Sequence, residues 1–299
     1  MLIPKEFNYF EIYLTFRCPL SCPYCINKYS YLDKKREELP VDKWIKFLNS
    51  LELGDLPITI GGGEPTQYQE FFKLINELKK DIKIDLLTNL QFDVHNFTEI
   101  IPPDRFNFTP NPAYKAIRIS YHPKQMNPIT LVKKVKFLQE EGYSIGIFGL
   151  NCPDNIDYNI MMSEMARENR VYFFIKEFIG YYKGKLFGNF VYPEGLNKKE
   201  KKVKCKTSEI LIAPDGNIFK CHYDLYSNKN PLGNIIDNPK FEYKFRICKS
   251  FGLCNPCDIK SKANRFLQKG HRSVEITDLN GKDLYEESKE NVDQNLWEK

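Results

Sequence analysis

The sequence predicts an α/β protein with a parallel sheet, followed by a small cysteine-rich module that contains a β-hairpin. Two features predict this arrangement. The first two thirds of the chain alternate short apolar, β-branched runs with amphipathic helical patterns, which is typical of repeated βα units. Five of the nine cysteines then follow residue 200. With 299 residues, 42% hydrophobic and 28% charged, the chain has the composition of a globular protein with a buried core.

Six short runs are predicted to form the strands of this sheet. Each run is largely apolar, as expected for parallel strands whose two faces are both covered. In chain order, the predicted strands are Phe10–Thr15, Pro57–Ile60, Ile84–Thr88, Ala116–Ser120, Tyr143–Phe148 and Val171–Glu177. Their alternation with helical stretches gives six βα-type units.

Helical patterns occupy the stretches between these runs. Apolar residues recur at helical spacing over 44–51 and again over 71–78, so each stretch would bury one face of a helix. The pattern over 94–101 is weaker. A clearer helix is predicted over Thr130–Glu140, because Gly142 stands where a C-terminal cap is expected.

The character of the sequence changes after Phe178, and a basic run precedes Cys205. We interpret this stretch as a boundary between two domains. The first domain is therefore assigned to residues 1–195 and the second to residues 200–262, with 263–299 as an acidic C-terminal tail.

A β-hairpin is predicted inside the second domain. Strand-like apolar runs flank the turn-forming residues Pro214, Asp215 and Gly216. Cys205 precedes the first strand of this hairpin and Cys221 follows the second, so the turn is expected to bring the two thiols together.

Charge and hydropathy exclude several classes of protein. The 44 basic and 39 acidic side chains leave a net charge of +5 with no long basic run, so a nucleic-acid partner is not expected. No apolar stretch reaches the roughly 18 residues needed to span a bilayer, and the start of the chain lacks the layout of a signal peptide. A cytoplasmic protein without a membrane partner is therefore predicted.

The cysteines indicate metal binding. An odd number of cysteines in a chain without an export signal favours metal sites over disulfides. Cys18, Cys22 and Cys25 follow the first predicted strand, so three thiols share one βα loop. A cubane iron–sulfur cluster is normally held by four thiolates, and three leave one iron open to a ligand. A zinc site completed by His95 or His122 is the structural alternative.

The spacing C-x3-C-x2-C, with Tyr24 just before the last cysteine, resembles the signature of the radical S-adenosylmethionine (radical SAM) superfamily. The resemblance implies a partial (β/α)6 TIM barrel over roughly residues 8–180, with its site at the carboxyl ends of the strands. It also implies that Cys18, Cys22 and Cys25 hold a catalytic 4Fe-4S cluster whose open iron binds S-adenosylmethionine.

A second motif strengthens the resemblance. Gly62, Gly63, Glu64 and Pro65 follow the second predicted strand and are similar to the GGEP motif that contacts the methionine amino group in this superfamily. Glycines allow close backbone approach, and a glutamate carboxylate can accept hydrogen bonds from an ammonium group. A glycine-rich turn that closes a strand is the structural alternative.

Weaker matches lie along the same edge of the predicted sheet. Asn89 and Ser120 resemble residues that line the nucleoside pocket in the superfamily, and Ser120 would contact the ribose hydroxyls. Tyr24 matches an aromatic residue that offers mainly backbone contacts to adenine. Short polar residues at strand ends also act as caps and turn formers, which is the alternative for both polar residues.

The later cysteines resemble a twitch domain, which is a truncated SPASM module. Its opening pattern is matched by a cysteine, ten residues, Gly216, four residues and a second cysteine. The resemblance implies one auxiliary 4Fe-4S cluster, with Cys248 spare or an alternate ligand. Cys152, which follows the fifth predicted strand, is expected to be a buried small hydrophobic residue. A zinc ribbon is the structural alternative. The expected ligands are Cys205, Cys221, Cys254 and Cys257.

The resemblance implies reductive cleavage of S-adenosylmethionine to a 5′-deoxyadenosyl radical, with the electron supplied by a reductant such as flavodoxin or ferredoxin. The radical would abstract a substrate hydrogen atom, and the auxiliary cluster would accept the electron left on the substrate. This outcome is a net oxidation, and a base would take the proton. Candidate bases are Glu177, His222 and Asp224.

Three alternative functions are consistent with these motifs. The first is oxidation or cross-linking of a side chain in a peptide or protein. The second is dehydrogenation of a small molecule of the aminocyclitol or sugar type. The third is electron transfer by a non-catalytic iron–sulfur protein. Because the cysteine loop begins at Cys18, no N-terminal leader-binding domain is expected, and a peptide would need a separate recognition protein or a leaderless mode.

Overall fold

The computed structural model describes residues 1–25, 36–106, 114–262 and 270–286. A parallel sheet of six strands forms its centre, and each strand pairs in parallel with the next along the chain. The predicted α/β class is confirmed, and the six parallel strands agree with a partial barrel. The strands are β1 (Tyr9–Thr15), β2 (Ile58–Gly62), β3 (Ile84–Thr88), β4 (Ile117–Ser120), β5 (Ile145–Asn151) and β6 (Phe173–Glu177).

An α-helix follows each of the first five strands. Asp93 caps the third helix by accepting hydrogen bonds from two backbone N–H groups, and Asn127 caps the fourth, where Pro128 fills the first helical position. Large apolar side chains of these helices, including fully buried Trp44 and Phe71, pack on the outer face of the sheet. The helices are α1 (Val41–Leu48), α2 (Phe71–Glu77), α3 (Val94–Ile100), α4 (Pro128–Glu140) and α5 (Ile156–Glu168).

The sixth unit differs from a βα repeat. Strand β6 leads into a small hairpin of β7 (Gly180–Tyr182) and β8 (Lys185–Phe187) rather than into a helix. Successive residues of a strand point to opposite faces. Ile12, Ile60 and Leu86 lie side by side on β1, β2 and β3 and join the core beneath the helices. The residues before and after each of them on its own strand line the inner face of the sheet.

The inner face of the sheet is polar. It carries five charged side chains from different strands, and Arg118 Nη2 lies 3.2 Å from the buried Asp85 carboxylate. Since parallel strands end at a common edge, this polar face leads up to the loops at the carboxyl ends of β1 to β6. Its charged residues are Glu11, Asp85, Arg118, Lys176 and Glu209.

The predicted hairpin joins this same sheet. Strands β10 (Glu209–Ile212) and β11 (Asn217–Phe219) pair antiparallel on either side of the predicted turn. Strand β10 also pairs in parallel with β1, and β12 (Gly233–Asn234) extends the edge, so the sheet has nine strands. The helix α6 (His222–Ser227) follows β11.

A second sheet carries other cysteines. Strand β9 (Lys201–Thr207) pairs antiparallel with β13 (Arg246–Phe251) on one side and with β16 (Val274–Thr277) on the other. A two-stranded sheet of β14 (Ser261–Lys262) and β15 (His271–Arg272) lies between them in sequence. Parts of the predicted tail, residues 263–269 and 287–299, fall outside the described residues.

Within the described ranges, no helix combines the length and the apolar composition that crossing a bilayer requires.

Candidate functional site

The cysteine loop leaves the carboxyl end of β1. Cys18 is exposed, Cys22 is buried and Cys25 is half-buried. The Cys25 backbone N–H donates to the Cys22 carbonyl at 3.1 Å, which closes a tight turn between the last two cysteines. Burial raises the pKa of the Cys18 thiol, and the nearby Glu64 and Cys25 raise it further. Three thiols therefore sit on one loop at the end of the sheet where barrel enzymes hold their sites.

Two amide side chains donate hydrogen bonds to the thiols of this loop. Asn89 Nδ2 lies 3.5 Å from Cys18 Sγ, and Gln125 Nε2 lies 3.1 Å from Cys22 Sγ. Gln125 also accepts a hydrogen bond from the Ser21 backbone N–H at 2.6 Å. Hydrogen bonds to thiolate sulfur stabilise its negative charge and tune a bound cluster. The resemblance implies a nucleoside pocket around Asn89, and no sequence motif includes Gln125.

The glycine motif packs directly against the cysteine loop. Gly63 N–H donates to the Thr15 carbonyl at 3.0 Å, and Glu64 N–H donates to the Arg17 carbonyl at 2.8 Å. A Cβ atom on Gly63 would lie 2.2 Å from the Arg17 oxygen, and one on Gly62 would lie 2.4 Å from the Thr15 oxygen. Both glycines are therefore required for the contact between the two loops.

Glu64 is fully buried, and both oxygens of its carboxylate accept hydrogen bonds from neighbouring residues. Oε2 accepts from the Asn89 backbone N–H at 2.7 Å, and Oε1 accepts from the hydroxyls of Thr66 and Thr88, each at 2.8 Å. Burial raises the pKa of this carboxyl group. Pro65 follows it at the first position of a short 3-10 turn, which Glu64 caps. The side chain thus connects the ends of β2 and β3.

The remaining predicted cofactor contacts lie on the same edge. Tyr24 Oη is 3.2 Å from His122 Nδ1, and burial raises the pKa of Tyr24 to about 12. Burial also lowers the pKa of His122 to about 4, so this imidazole is neutral at neutral pH. Ser120 is half-buried and is the last residue of β4.

A cavity between the second sheet and the hairpin gathers four thiols. Cys205 on β9, Cys221 after β11, Cys248 on β13 and Cys254 in the following loop all line this cavity, together with apolar side chains such as Ile276. Three of them belong to the set predicted for an auxiliary cluster. Cys257 is not among the lining residues.

Charged groups surround this cavity. Lys220 Nζ lies 3.7 Å from Cys221 Sγ and also pairs with the buried Asp224 carboxylate. Asn230 Nδ2 donates to the other oxygen of Asp224 at 3.1 Å. Both oxygens of Asp224 therefore have hydrogen-bond donors, so its environment favours a role as the partner of Lys220 over a role as a base.

The two other predicted bases have different surroundings. His222 is buried, and its Nδ1 lies 2.7 Å from the Asp258 carboxylate, while its Nε2 lies 3.9 Å from Glu11 on the inner face of the sheet. Burial alone would lower the pKa of His222, but Asp258 raises it above its ordinary value. Glu177 Oε1 accepts a hydrogen bond from the Asn189 backbone N–H at 2.9 Å.

The donor sets of both cysteine groups fit iron–sulfur clusters. The cysteine loop offers three thiols with side-chain N–H donors to two of them, and the cavity offers four thiols with a lysine beside one. Four thiolates hold a complete cubane, whereas three leave an iron open to a ligand. No local sequence pattern marks Asp258 or Gln125, because each meets its partner across a long stretch of chain.

A family model described as the Radical SAM superfamily matches residues 12–142, which include both the cysteine loop and the glycine motif. Among curated proteins, the PqqA peptide cyclase of Bradyrhizobium diazoefficiens is 42% identical over 78 residues, which are 26% of this chain and 20% of that protein. The curated relatives are therefore matched over about a fifth of their length.

Solved structures resemble most of the chain. Streptococcus suis SuiB bound to precursor peptide SuiA has a TM-score of 0.54 at 19% identity, over 76% of this chain and 62% of SuiB. The same protein bound to S-adenosylmethionine has a TM-score of 0.53 at 16% identity, over 77% of this chain and 63% of SuiB. At these identities the likeness concerns the fold.

Proposed function

We propose that this chain is a member of the radical SAM superfamily and that it modifies a side chain of a peptide or protein by oxidation or cross-linking. Membership implies a 4Fe-4S cluster and S-adenosylmethionine as cofactors. The observation that carries the proposal is the packing of the three-cysteine loop against the glycine motif, held by backbone hydrogen bonds from Gly63 and Glu64. An electron carrier would not need the glycine motif, because it does not bind S-adenosylmethionine.

When bound, S-adenosylmethionine and the catalytic cluster supply a 5′-deoxyadenosyl radical for hydrogen abstraction, and an auxiliary cluster supplies an acceptor for the electron left on the substrate. Cys18, Cys22 and Cys25 would hold the catalytic cluster, with Asn89 and Gln125 donating hydrogen bonds to two of the thiolates. A reductant such as flavodoxin or ferredoxin would deliver the first electron.

The backbone of the glycine motif would bind the methionine end of the cofactor, next to the cysteine loop. Glu64 would hold this backbone in position through its bonds to the ends of β2 and β3, in place of direct contact by its carboxylate. Ser120 and Tyr24 would contact the nucleoside from the same edge of the sheet. These contacts would hold the cofactor over the polar inner face of the sheet.

The inner face would receive the substrate. His222 is the base favoured by its surroundings, because Asp258 orients its ring and its Nε2 is directed toward Glu11 on that face. Glu177 would act at the end of β6. The thiols that line the neighbouring cavity would hold the auxiliary cluster. The proton acceptor, His222, and the electron acceptor, the cluster, would then lie close together.

A peptide is the substrate class that the comparisons favour. The curated relatives with the matched stretch are named PqqA peptide cyclases, and SuiB was solved with a precursor peptide. The polar inner face carries both acidic and basic side chains, including the Arg118–Asp85 pair, and this suits the mixed charges of a peptide.

The test is an anaerobic reconstitution with iron and sulfide, followed by reduction and addition of S-adenosylmethionine. We expect about eight irons per chain, as two cubanes require, and 5′-deoxyadenosine as a product. Cys22→Ala should abolish the nucleoside, whereas the matched control Cys152→Ala, at a buried cysteine outside both groups, should not. Equal nucleoside from Cys22→Ala would refute the assignment.

The substrate class is tested separately. Peptides encoded by neighbouring genes are incubated with the reduced enzyme and analysed by mass spectrometry. Oxidation or cross-linking should remove two hydrogen atoms from one peptide, and only when S-adenosylmethionine is present. Nucleoside formation that responds to a sugar or aminocyclitol, and to no peptide, would instead support a small-molecule dehydrogenase. Loaded clusters that form no nucleoside would support an electron carrier.

A further inference from the structure

We propose that the fourth ligand of the auxiliary cluster is Cys248, and that Cys257 stays outside the ligand set. The inference rests on the proposed function, since it specifies how the second cysteine group would hold its cluster. It also departs from what the sequence pattern favours, because the terminal C-x2-C pair formed by Cys254 and Cys257 is the more obvious pair of ligands.

The register of the second sheet places Cys248 next to Cys205. In the antiparallel pair of β9 and β13, Arg246 lies opposite Cys205 and Cys248 lies opposite Val203. Directly opposed residues share a face, and residues two apart on one strand share it as well. Cys205 and Cys248 are therefore diagonal neighbours on one face, and both thiols line the same cavity.

The other two thiols reach the same cavity from separate segments. Cys221 arrives at the start of α6, directly after the hairpin. Cys254 is fixed by its backbone N–H, which donates to the Gly195 carbonyl at 2.8 Å. Four thiols from four segments thus surround one cavity, as a cubane with four protein ligands requires.

Cys257 has different neighbours. Its backbone N–H donates to Asn255 Oδ1 at 2.9 Å, in a turn that separates it from Cys254. Cys257 does not line the cavity that Cys205, Cys221, Cys248 and Cys254 share.

The test measures iron in a full-length background in which Cys18, Cys22 and Cys25 are all replaced by alanine, so that the remaining iron is auxiliary. The background should bind about four irons per chain after reconstitution. Added to it, Cys248→Ala should remove most of this iron and the electron paramagnetic resonance signal of the reduced cluster. The matched substitution Cys257→Ala should leave both unchanged.

Cys205→Ala serves as the positive control for loss of a ligand, and circular dichroism shows whether each variant is folded. Iron loss in Cys257→Ala, with or without loss in Cys248→Ala, would overturn the inference, as would full retention in both. A background that binds no iron would overturn the auxiliary cluster itself. The catalytic part of the proposed function is judged independently, from 5′-deoxyadenosine formed by the chain with its cysteine loop intact.

Discussion

Replacing Gly63 with alanine tests whether the cysteine loop and the glycine motif act as one unit. The new Cβ atom would lie 2.2 Å from the Arg17 oxygen and 2.5 Å from the Phe16 oxygen. These are backbone atoms, so no side-chain rotation can relieve the contact. The Arg17 oxygen must retreat by at least about 1.2 Å to reach ordinary van der Waals separation. Arg17 directly precedes Cys18, so the displacement reaches the first thiol.

The cost of this displacement can be estimated from overpacking in other proteins. An extra methyl group in a tight contact typically costs about 1–3 kcal/mol. If the loops separate to accommodate it, the hydrogen bond between Glu64 N–H and the Arg17 carbonyl is lost as well. Since about 1.4 kcal/mol corresponds to a tenfold change in affinity, we expect S-adenosylmethionine to bind about 5- to 100-fold more weakly to Gly63→Ala.

The assay is anaerobic equilibrium dialysis of S-adenosylmethionine against the reconstituted protein, with iron measured in the same samples. Gly146→Ala is the matched control. Its Cβ would lie 2.5 Å from the Tyr172 ring, near the amino end of β5 and away from the cysteine loop. It should lower stability but leave cofactor affinity unchanged. Wild-type affinity in Gly63→Ala, with its iron retained, would refute the coupling of the two loops.

Three further predictions concern stability and metal content. Asp85→Ala leaves Arg118 without its buried partner, so the free energy of unfolding in urea should fall by about 3–5 kcal/mol. The control Asp42→Ala removes an exposed ion pair and should cost at most about 1 kcal/mol. Equal losses in the two variants would contradict this. Burial lowers the pKa of His122 to about 4, so the unfolded chain takes up a proton that the folded chain does not between about pH 6.5 and 4. Stability should therefore fall as pH decreases through this window, and His122→Gln should flatten that dependence in urea titrations of the apoprotein. Cys152→Ala should keep the full iron content while lowering stability by about 1 kcal/mol, and loss of iron would make it a ligand.

The sheet was predictable because parallel strands buried on both faces leave continuous apolar runs in the sequence. All six predicted strands overlap the observed ones, and Ile84–Thr88 agrees at both ends. Helix α5 left a much weaker signal. Its buried residues are only Asn159, Met162 and Ala166. One of these three is polar, since Asn159 donates a hydrogen bond to the Leu150 carbonyl. A helix that buries so few apolar side chains has no clear stripe in its sequence.

The candidate site was predictable only where its residues are close in sequence. The three cysteines and the glycine motif each form a compact local pattern. Gln125 reaches Cys22 across 103 positions, and Asp258 reaches His222 across 36, so neither contact leaves a local pattern. The choice between Cys248 and Cys257 is similar, because it depends on the pairing register of β9 with β13 and not on the spacing of the cysteines.

The position of β1 links the two cysteine groups. On one side β1 pairs with β2, which leads into the glycine motif, and on the other it pairs with β10, which leads through β11 to Cys221. The register of Ile12 with Ile60 and with Ile212 fixes both neighbours against the strand that carries the cysteine loop. A hydrogen-bonded sheet, and not a linker, therefore sets the spacing between the two groups. In the proposed function an electron passes from the substrate to a second cluster, and a spacing fixed by the sheet would serve that transfer.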